Sequence, residues 1–273
     1  MKNLSHFHLQ NSCALVTGAS SGLGVEFARQ LAPHASVLIL VARRGDRLQV
    51  LAAELEQAYP SLRVYQCVHD LLLASEREKL ALWIQEQNIP LNLLINNAGL
   101  GDLGDFLEAS WPRLEEIITV NITALTHLTH LLLPALRGQA PSALLQVGSI
   151  AGFFSLAGNA VYTASKAYVK SFSEALRVEE QPHGVAVTLL CPGPAPTEFF
   201  DVASRPGEKI SIASRAPACF ITSSDKVVAA ALHGLARNRP CIIPNRLLST
   251  VIMMLRYCPV LLFQKRKSQG RNR

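Results

Sequence analysis

Thr17-Gly18-Ala19-Ser20-Ser21-Gly22-Leu23-Gly24 joins two segments of different periodicity. Ser12 to Thr17 is a short apolar run of strand character, and Leu23 to Leu31 repeats its apolar residues at helical spacing, so the octapeptide between them is a strand-to-helix turn. Glycines at 18, 22 and 24 let the backbone turn sharply and come close to a pyrophosphate, whose charge would then lie at the N-terminus of the following helix. The spacing is Gly-x-x-x-Gly-x-Gly rather than Gly-x-Gly-x-x-Gly. A tight turn alone could carry the same glycines. Its place directly after the first strand favours the phosphate reading.

Strands and helices alternate outward from this turn, which predicts an α/β fold. The second strand, Ser36 to Val41, ends in Ala42-Arg43-Arg44. An acid closing that strand would bond the ribose hydroxyls of NAD and repel the extra phosphate of NADP. Ala42 replaces it, and the guanidinium of Arg43 can clamp a 2′-phosphate in bidentate fashion. The expected cofactor is NADP(H) in preference to NAD(H); the alternative is that both arginines are solvated charges at a helix entrance. A helix over Asp46 to Tyr59 stops at Pro60, and a third strand, Leu62 to Val68, leads to His69 and Asp70. At that sheet edge Asp70 would contact the adenine end of a cofactor or cap the next helix, Ser75 to Gln87.

The fourth strand, Leu91 to Ile95, runs into Asn96-Asn97-Ala98-Gly99, whose side-chain amides and glycine suit a brace at the sheet edge. A long helix over Ser110 to Arg137 is predicted to bend near Pro134. Asn121 inside it is a poor helix former and needs a reason: it is solvated outside or holds a water inside. His127 and His130 lack carboxylate or cysteine partners, so no metal site is expected. The fifth strand, Ala143 to Val147, ends at Gly148-Ser149, and the sixth, Val185 to Leu190, ends at Cys191-Pro192-Gly193-Pro194-Ala195-Pro196-Thr197, stiffened by its prolines.

Between those two strands lies Tyr162-Thr163-Ala164-Ser165-Lys166 on a predicted helix. Positions i and i+4 share one face, about 6 Å apart along the axis. A phenol and an ammonium titrate near pH ~10 and ~10.4, each idle alone at neutral pH. An adjacent cation would lower the phenol and make Tyr162 a proton donor or acceptor.

These motifs, in this order, resemble the short-chain dehydrogenase/reductase family over roughly residues 11 to 245. The resemblance implies a single Rossmann-type, doubly wound domain with a seven-stranded parallel sheet and helices on both faces. It makes Tyr162 the acid/base, Lys166 the binder of the nicotinamide ribose that lowers the tyrosine pKa, Ser149 the group polarising a carbonyl, and Asn121 the anchor of a water in a proton relay. Cofactor contacts are implied for Gly18, Ser20, Ser21, Gly22, Leu23, Gly24, Arg43, Asp70, Asn97, Ala98, Gly99, Tyr162, Lys166, Pro192, Gly193 and Thr197. The chain departs from the family pattern at Ala195, where a larger residue is usual, and has Ser20 and Ser21 where some NADP-dependent relatives carry a basic residue within the glycine turn.

The cleft beyond strands four to six would be rimmed by Leu100, Leu103, Phe153, Phe154, Leu156, Phe199 and Phe200. Such a rim suits a sizeable apolar carbonyl or alcohol, as in relatives described as ketoacyl reductases or hydroxysteroid dehydrogenases; core or subunit-interface roles are the alternative. A dinucleotide-binding sensor without chemistry is the competing class, and the joint presence of Asn121, Ser149, Tyr162 and Lys166 argues against it.

Apolar residues make up 49% and charged residues 17%, a globular composition. The net charge of +6 is local: residues 265–273 carry five basic groups and no acid, leaving 21 basic minus 20 acidic, or +1, for the rest. Nucleic-acid binding is therefore not expected. Six scattered cysteines without a Cys-x-x-Cys pair suggest reduced thiols in a reducing compartment. Met1 to His8 lacks the apolar run of a secretory signal, so a cytoplasmic location is expected. The catalytic domain is read as 1–245. Residues 246–273 form an apolar segment, Leu247 to Phe263, and a basic tail, read first as a lid or subunit contact and alternatively as a membrane-surface anchor through 247–267. The long helices at 110–137 and 159–181 resemble those that pair subunits in this family, which implies a homodimer or homotetramer.

Overall fold

The structure is a computed structural model that describes residues 7–205 and 217–257, without the side chains of Met253, Leu255, Arg256 and Tyr257. The first six residues and the basic tail lie outside it. β1 (Ser12–Thr17) is buried along its whole length, as a strand covered on both faces must be. Its side chains alternate: Ala14 and Val16 join one apolar layer, Leu15 the other.

The remaining strands are β2 (Ala35–Ala42), β3 (Arg63–Val68), β4 (Leu93–Asn96), β5 (Ser142–Val147), β6 (Val185–Leu190) and β7 (Cys241–Ile242). They form one seven-stranded sheet in the order β3-β2-β1-β4-β5-β6-β7, and every pairing is parallel. The chain winds outward from β1 to β3 and then crosses back to β4. The crevice at this reversal, beyond the carboxyl ends of β1 and β4, is where open α/β sheets bind ligands.

One face of the sheet is covered by α1 (Gly22–Leu31), α2 (Gly45–Ala58) and α8 (Ser224–Ala236), through Phe27, Leu31, Leu48, Leu55, Val228 and Leu232. The other is covered by α3 (Ala74–Glu86), α5 (Leu125–Gly138) and α6 (Ala160–Glu180), through Leu80, Ile84, Leu128, Leu132, Leu136 and Leu176. Each such side chain, fully buried, contributes about 1.5–3 kcal/mol. Segment 111–138 has the length and hydropathy of a membrane span, yet these buried leucines make it a core helix. The carboxylate of Glu180, 1% exposed, pairs with both Nε and Nη2 of Arg137 at 2.8 and 2.6 Å and so ties α6 to α5.

The helix predicted from 110 to 137 departs from expectation. It consists of α4 (Trp111–Ile118), a wider π turn over Thr119–Ala124, and α5. The irregularity lies at the π turn rather than at Pro134, past which α5 continues to Gly138. Asn121 sits in that turn and is fully buried. It is thus neither solvated outside nor idle, and its partners appear below. Two further helices among the described residues are α7 (Phe199–Ala203) and α9 (Arg246–Tyr257).

α1 starts hard against the turn that precedes it: a Cβ at Gly24 would stand 2.1 Å from the carbonyl oxygen of Gly18. Gly24→Ala is expected to cost about 3 kcal/mol and to lower the thermal midpoint of the unliganded protein by roughly 6 °C or more. An unchanged midpoint in calorimetry would show that α1 can slide away from the turn.

Candidate active site

The glycine turn is held from below by Thr17. Its hydroxyl accepts from the backbone N–H of Asn97 at 2.9 Å and of Ala98 at 3.0 Å, and donates to Ile95 O at 3.3 Å. Asn97 Nδ2 donates back to Thr17 O at 2.9 Å. The Asn96–Gly99 segment is therefore the brace expected of it, with Asn96 fixed beneath by Thr129 at 2.9 Å. Gly18 and Gly22 take positive φ, 67° and 54°, which L side chains resist.

Ser21 caps α1 in extended conformation without a side-chain cap bond, and no acid stands in the first turn. The helix N-terminus thus offers its N–H groups with no carboxylate competing for them, which fits a pyrophosphate. Arg43, exposed at the end of β2, makes no hydrogen bond or ion pair among the described residues. Arg44 is engaged: Nε donates to Ser20 Oγ at 3.1 Å, and Nη1 pairs with Glu198 at 3.1 Å. Asp70 Oδ1 accepts from Leu72 N at 3.0 Å, so it caps the turn before α3 while facing the crevice.

One continuous cavity of about 760 Å³ runs along the carboxyl ends of the strands. Of the residues expected to hold a dinucleotide, Gly18, Ser20, Ser21, Gly22, Leu23, Arg43, Asp70, Asn97, Ala98, Gly99, Tyr162, Lys166, Pro192, Gly193 and Thr197 line it, and Ser149 lines it too. Gly24 and Asn121 stand behind the wall. Asn121 Nδ2 donates to Leu100 O and Ser165 Oγ, both at 2.9 Å, and Oδ1 accepts from Leu100 N at 2.8 Å. These bonds make the Asn121 side chain a bracket that holds the β4 exit against α6.

Ser149 leaves β5 in extended conformation, its Oγ accepts from Ala151 N at 3.1 Å, and it stands beside the Tyr162 hydroxyl, where it favours the ionised phenol. Lys166, 4% exposed, donates from Nζ to Val147 O at 2.9 Å and lies 5.8 Å from the Tyr162 ring centroid. The helical spacing of four does bring the two onto one wall. The expected electrostatics do not follow. Tyr162 retains some exposure through the cavity but is packed by protein on every other side. Burial pushes its phenol up to about 12, the Ser149 side chain opposes this, and the neighbouring Cys191 adds to it. Burial likewise pushes Lys166 down to about 8. Desolvation is the largest cause of both shifts.

The far end of the cavity is apolar. Leu100, Leu103, Phe154, Leu156, Phe199 and Phe200 line it as expected. Phe153 does not: it lies instead against Lys170, whose Nζ is 5.4 Å from its ring centroid. Sequence reasoning missed Phe220 on this wall, while the segment read first as a lid or subunit contact brings Leu248, Val251 and Ile252 of α9 to it. Asn245 orients α9, accepting from Leu248 N at 2.9 Å and donating to Cys219 O at 2.8 Å. His127 accepts from the buried Arg77 at 3.1 Å, and His69 pairs with Glu76 at 2.7 Å. Among the described residues no three His, Cys, Asp or Glu side chains group as metal ligands.

A short chain dehydrogenase model matches residues 12–206. Among curated relatives, a very-long-chain 3-oxoacyl-CoA reductase of Emericella nidulans is 35% identical over 193 residues, 69% of this chain and 55% of that one. The chain thus spans about half the length of that fungal relative. Sulfoacetaldehyde reductase 2 of Chromohalobacter salexigens is 38% identical over 68% of this chain and 73% of its own. A short-chain dehydrogenase from Sphingobium yanoikuyae, solved in complex with NADPH, superposes with a TM-score of 0.80 at 30% identity, covering 96% of this chain and 99% of that one.

Because burial opposes its charge, Lys166 is expected to be cationic below and neutral above a midpoint near pH 8 in the unliganded protein, against 10.5 for an ordinary lysine. NMR titration of ¹³C-labelled lysines, assigned with Lys166→Arg, reads this directly. A midpoint above 10 would mean that the ammonium is better solvated than its surroundings suggest.

Proposed function

The chain belongs to the short-chain dehydrogenase family, and from that premise we propose that it is an NADP(H)-dependent oxidoreductase acting on the carbonyl of a sizeable apolar compound, or on the matching secondary alcohol. The observation that carries this reading is the single cavity joining the glycine turn, the Ser149–Tyr162–Lys166 group and an apolar end wall. Its first part suits a dinucleotide, held by the turn, by Asp70 and Asn97 to Gly99, and by Lys166 and Thr197. NADPH bound there would supply the hydride.

The chain's own residues would then manage the proton. With its pKa near 12, Tyr162 is a neutral phenol across the physiological range, so it can give its proton to a carbonyl oxygen as negative charge develops there. Ser149 lines the cavity beside the same phenol and is placed to share the developing charge. The tyrosinate left behind is a new anion in a low-dielectric wall, and the nearby Lys166 ammonium favours it. Lys166 is half charged at about pH 8 and fully charged only well below it, so this support weakens as the pH rises through that value.

The end wall supports an apolar substrate. Among the described residues lining the cavity, the cationic ones are Arg43, Arg44 and Lys166, all beside the expected dinucleotide site. A sulfonate would find no partner among the apolar residues beyond. A keto group carried on an acyl chain or other apolar body, the class named for the fungal relative, suits this wall better. α9 is read accordingly as a cover over the substrate end rather than a membrane anchor, because Leu248 and Ile252 are buried, 5% and 2% exposed, in that wall.

Tyr162→Phe is expected to lower kcat roughly 10²–10⁴-fold while leaving the dissociation constant for the dinucleotide within about twofold; turnover near wild type would remove the phenol from the mechanism. In steady-state assays with NADPH, apolar 3-oxo compounds should exceed sulfoacetaldehyde in kcat/KM by about 100-fold, the scale of about 2.7 kcal/mol of differential binding. Equal values, or a preference for NADH, would overturn the substrate or cofactor assignment respectively.

A further inference from the structure

Glu198 precedes α7 and lines the same cavity as Ser20, Arg43 and Arg44. Its two carboxylate oxygens reach two different arginines, Arg44 Nη1 at 3.1 Å and Arg47 Nη1 at 2.6 Å. Arg44 is thereby committed on all sides, since its Nε and Nη2 are directed at Ser20 Oγ and O, 3.1 and 3.4 Å away. Arg43 has no such partner among the described residues. The second arginine that could grip a 2′-phosphate is therefore already holding a carboxylate, and that carboxylate stands on the wall a phosphate would approach.

We propose that Glu198 sets the strength of 2′-phosphate recognition by competing with the phosphate for Arg44. This rests on the NADP(H) reading above. Arg47 is what makes the exchange feasible: when Arg44 turns to a phosphate, Glu198 keeps a cationic partner on α2 rather than being left uncompensated. All three side chains are about 40% exposed, and ion pairs at that exposure contribute little. The competition is therefore a modest tuning of affinity, not a block.

The test is calorimetric titration of the full-length protein with 2′,5′-ADP and with 5′-AMP, ligands that differ by the phosphate alone. Glu198→Gln keeps the size of the side chain and removes its charge. It is expected to tighten 2′,5′-ADP about 3- to 5-fold and to change 5′-AMP less than twofold. In an Arg44→Met background the gain should vanish. No gain in Glu198→Gln, or a gain that persists without Arg44, overturns the proposal, the second because it would be a through-space charge effect. If the wild-type protein binds the two ligands alike, the NADP(H) reading falls instead; the role of Glu198 is then upheld if Glu198→Gln creates a preference that needs Arg44, and overturned if it does not.

Discussion

The hydroxyl of Thr17 fastens together the two strands between which the chain reverses its winding. β1 and β4 are neighbours in the sheet, but a pairing that ends at Val16 and Ile95 would leave their exits free to splay. By accepting two N–H groups and donating to a carbonyl, Thr17 satisfies three backbone groups at the crevice with one oxygen. Everything downstream inherits this alignment. Asn97 returns a bond to the glycine turn, and Gly99 sits where a Cβ would be 3.4 Å from both Asn121 Oδ1 and Lys166 Nζ. The turn meant for a dinucleotide and the lysine beside the tyrosine are thus positioned by the same few bonds.

That arrangement explains why an ammonium can be buried here. Lys166 gives up most of its hydration, and the structure returns a carbonyl, Val147 O, at the end of the strand that also delivers Ser149. The exchange is incomplete, which is why its pKa falls to about 8. Tyr162 is resisted in the opposite sense and stays neutral. The pair therefore rests in a state where neither group is fully comfortable as an ion, and a negative charge developing between them would relieve the lysine rather than burden it.

What was legible in the sequence was what is local. Strands, helices and the glycine turn announce themselves through periodicity and breakers within a few residues, and Tyr162 with Lys166 through a spacing of four. Long-range features gave no such signal. Glu198 meets arginines some 150 residues earlier in the chain, and α9 reaches the cavity only because the sheet brings it there. The π turn at Asn121 was half visible: an amide inside an apolar helix called for a reason, but the reason, Leu100 and Ser165, lay on two other elements. The direction of the Tyr162 shift is not legible in the sequence, because spacing reports which charges are near and says nothing of how much water the fold removes.

The contact between α9 and the sheet edge has its own implication. A Cβ at Gly193 would stand 2.6 Å from Leu248 Cδ2, so the helix rests directly on the Pro-Gly bend that leaves β6. The family model ends at residue 206, well before this helix begins. The glycine turn and the Ser149, Tyr162 and Lys166 side chains thus come from one part of the chain, and the apolar cap over the far end of the cavity from another. Substitutions on α9 can therefore reshape that end while leaving the groups at the sheet edge in place.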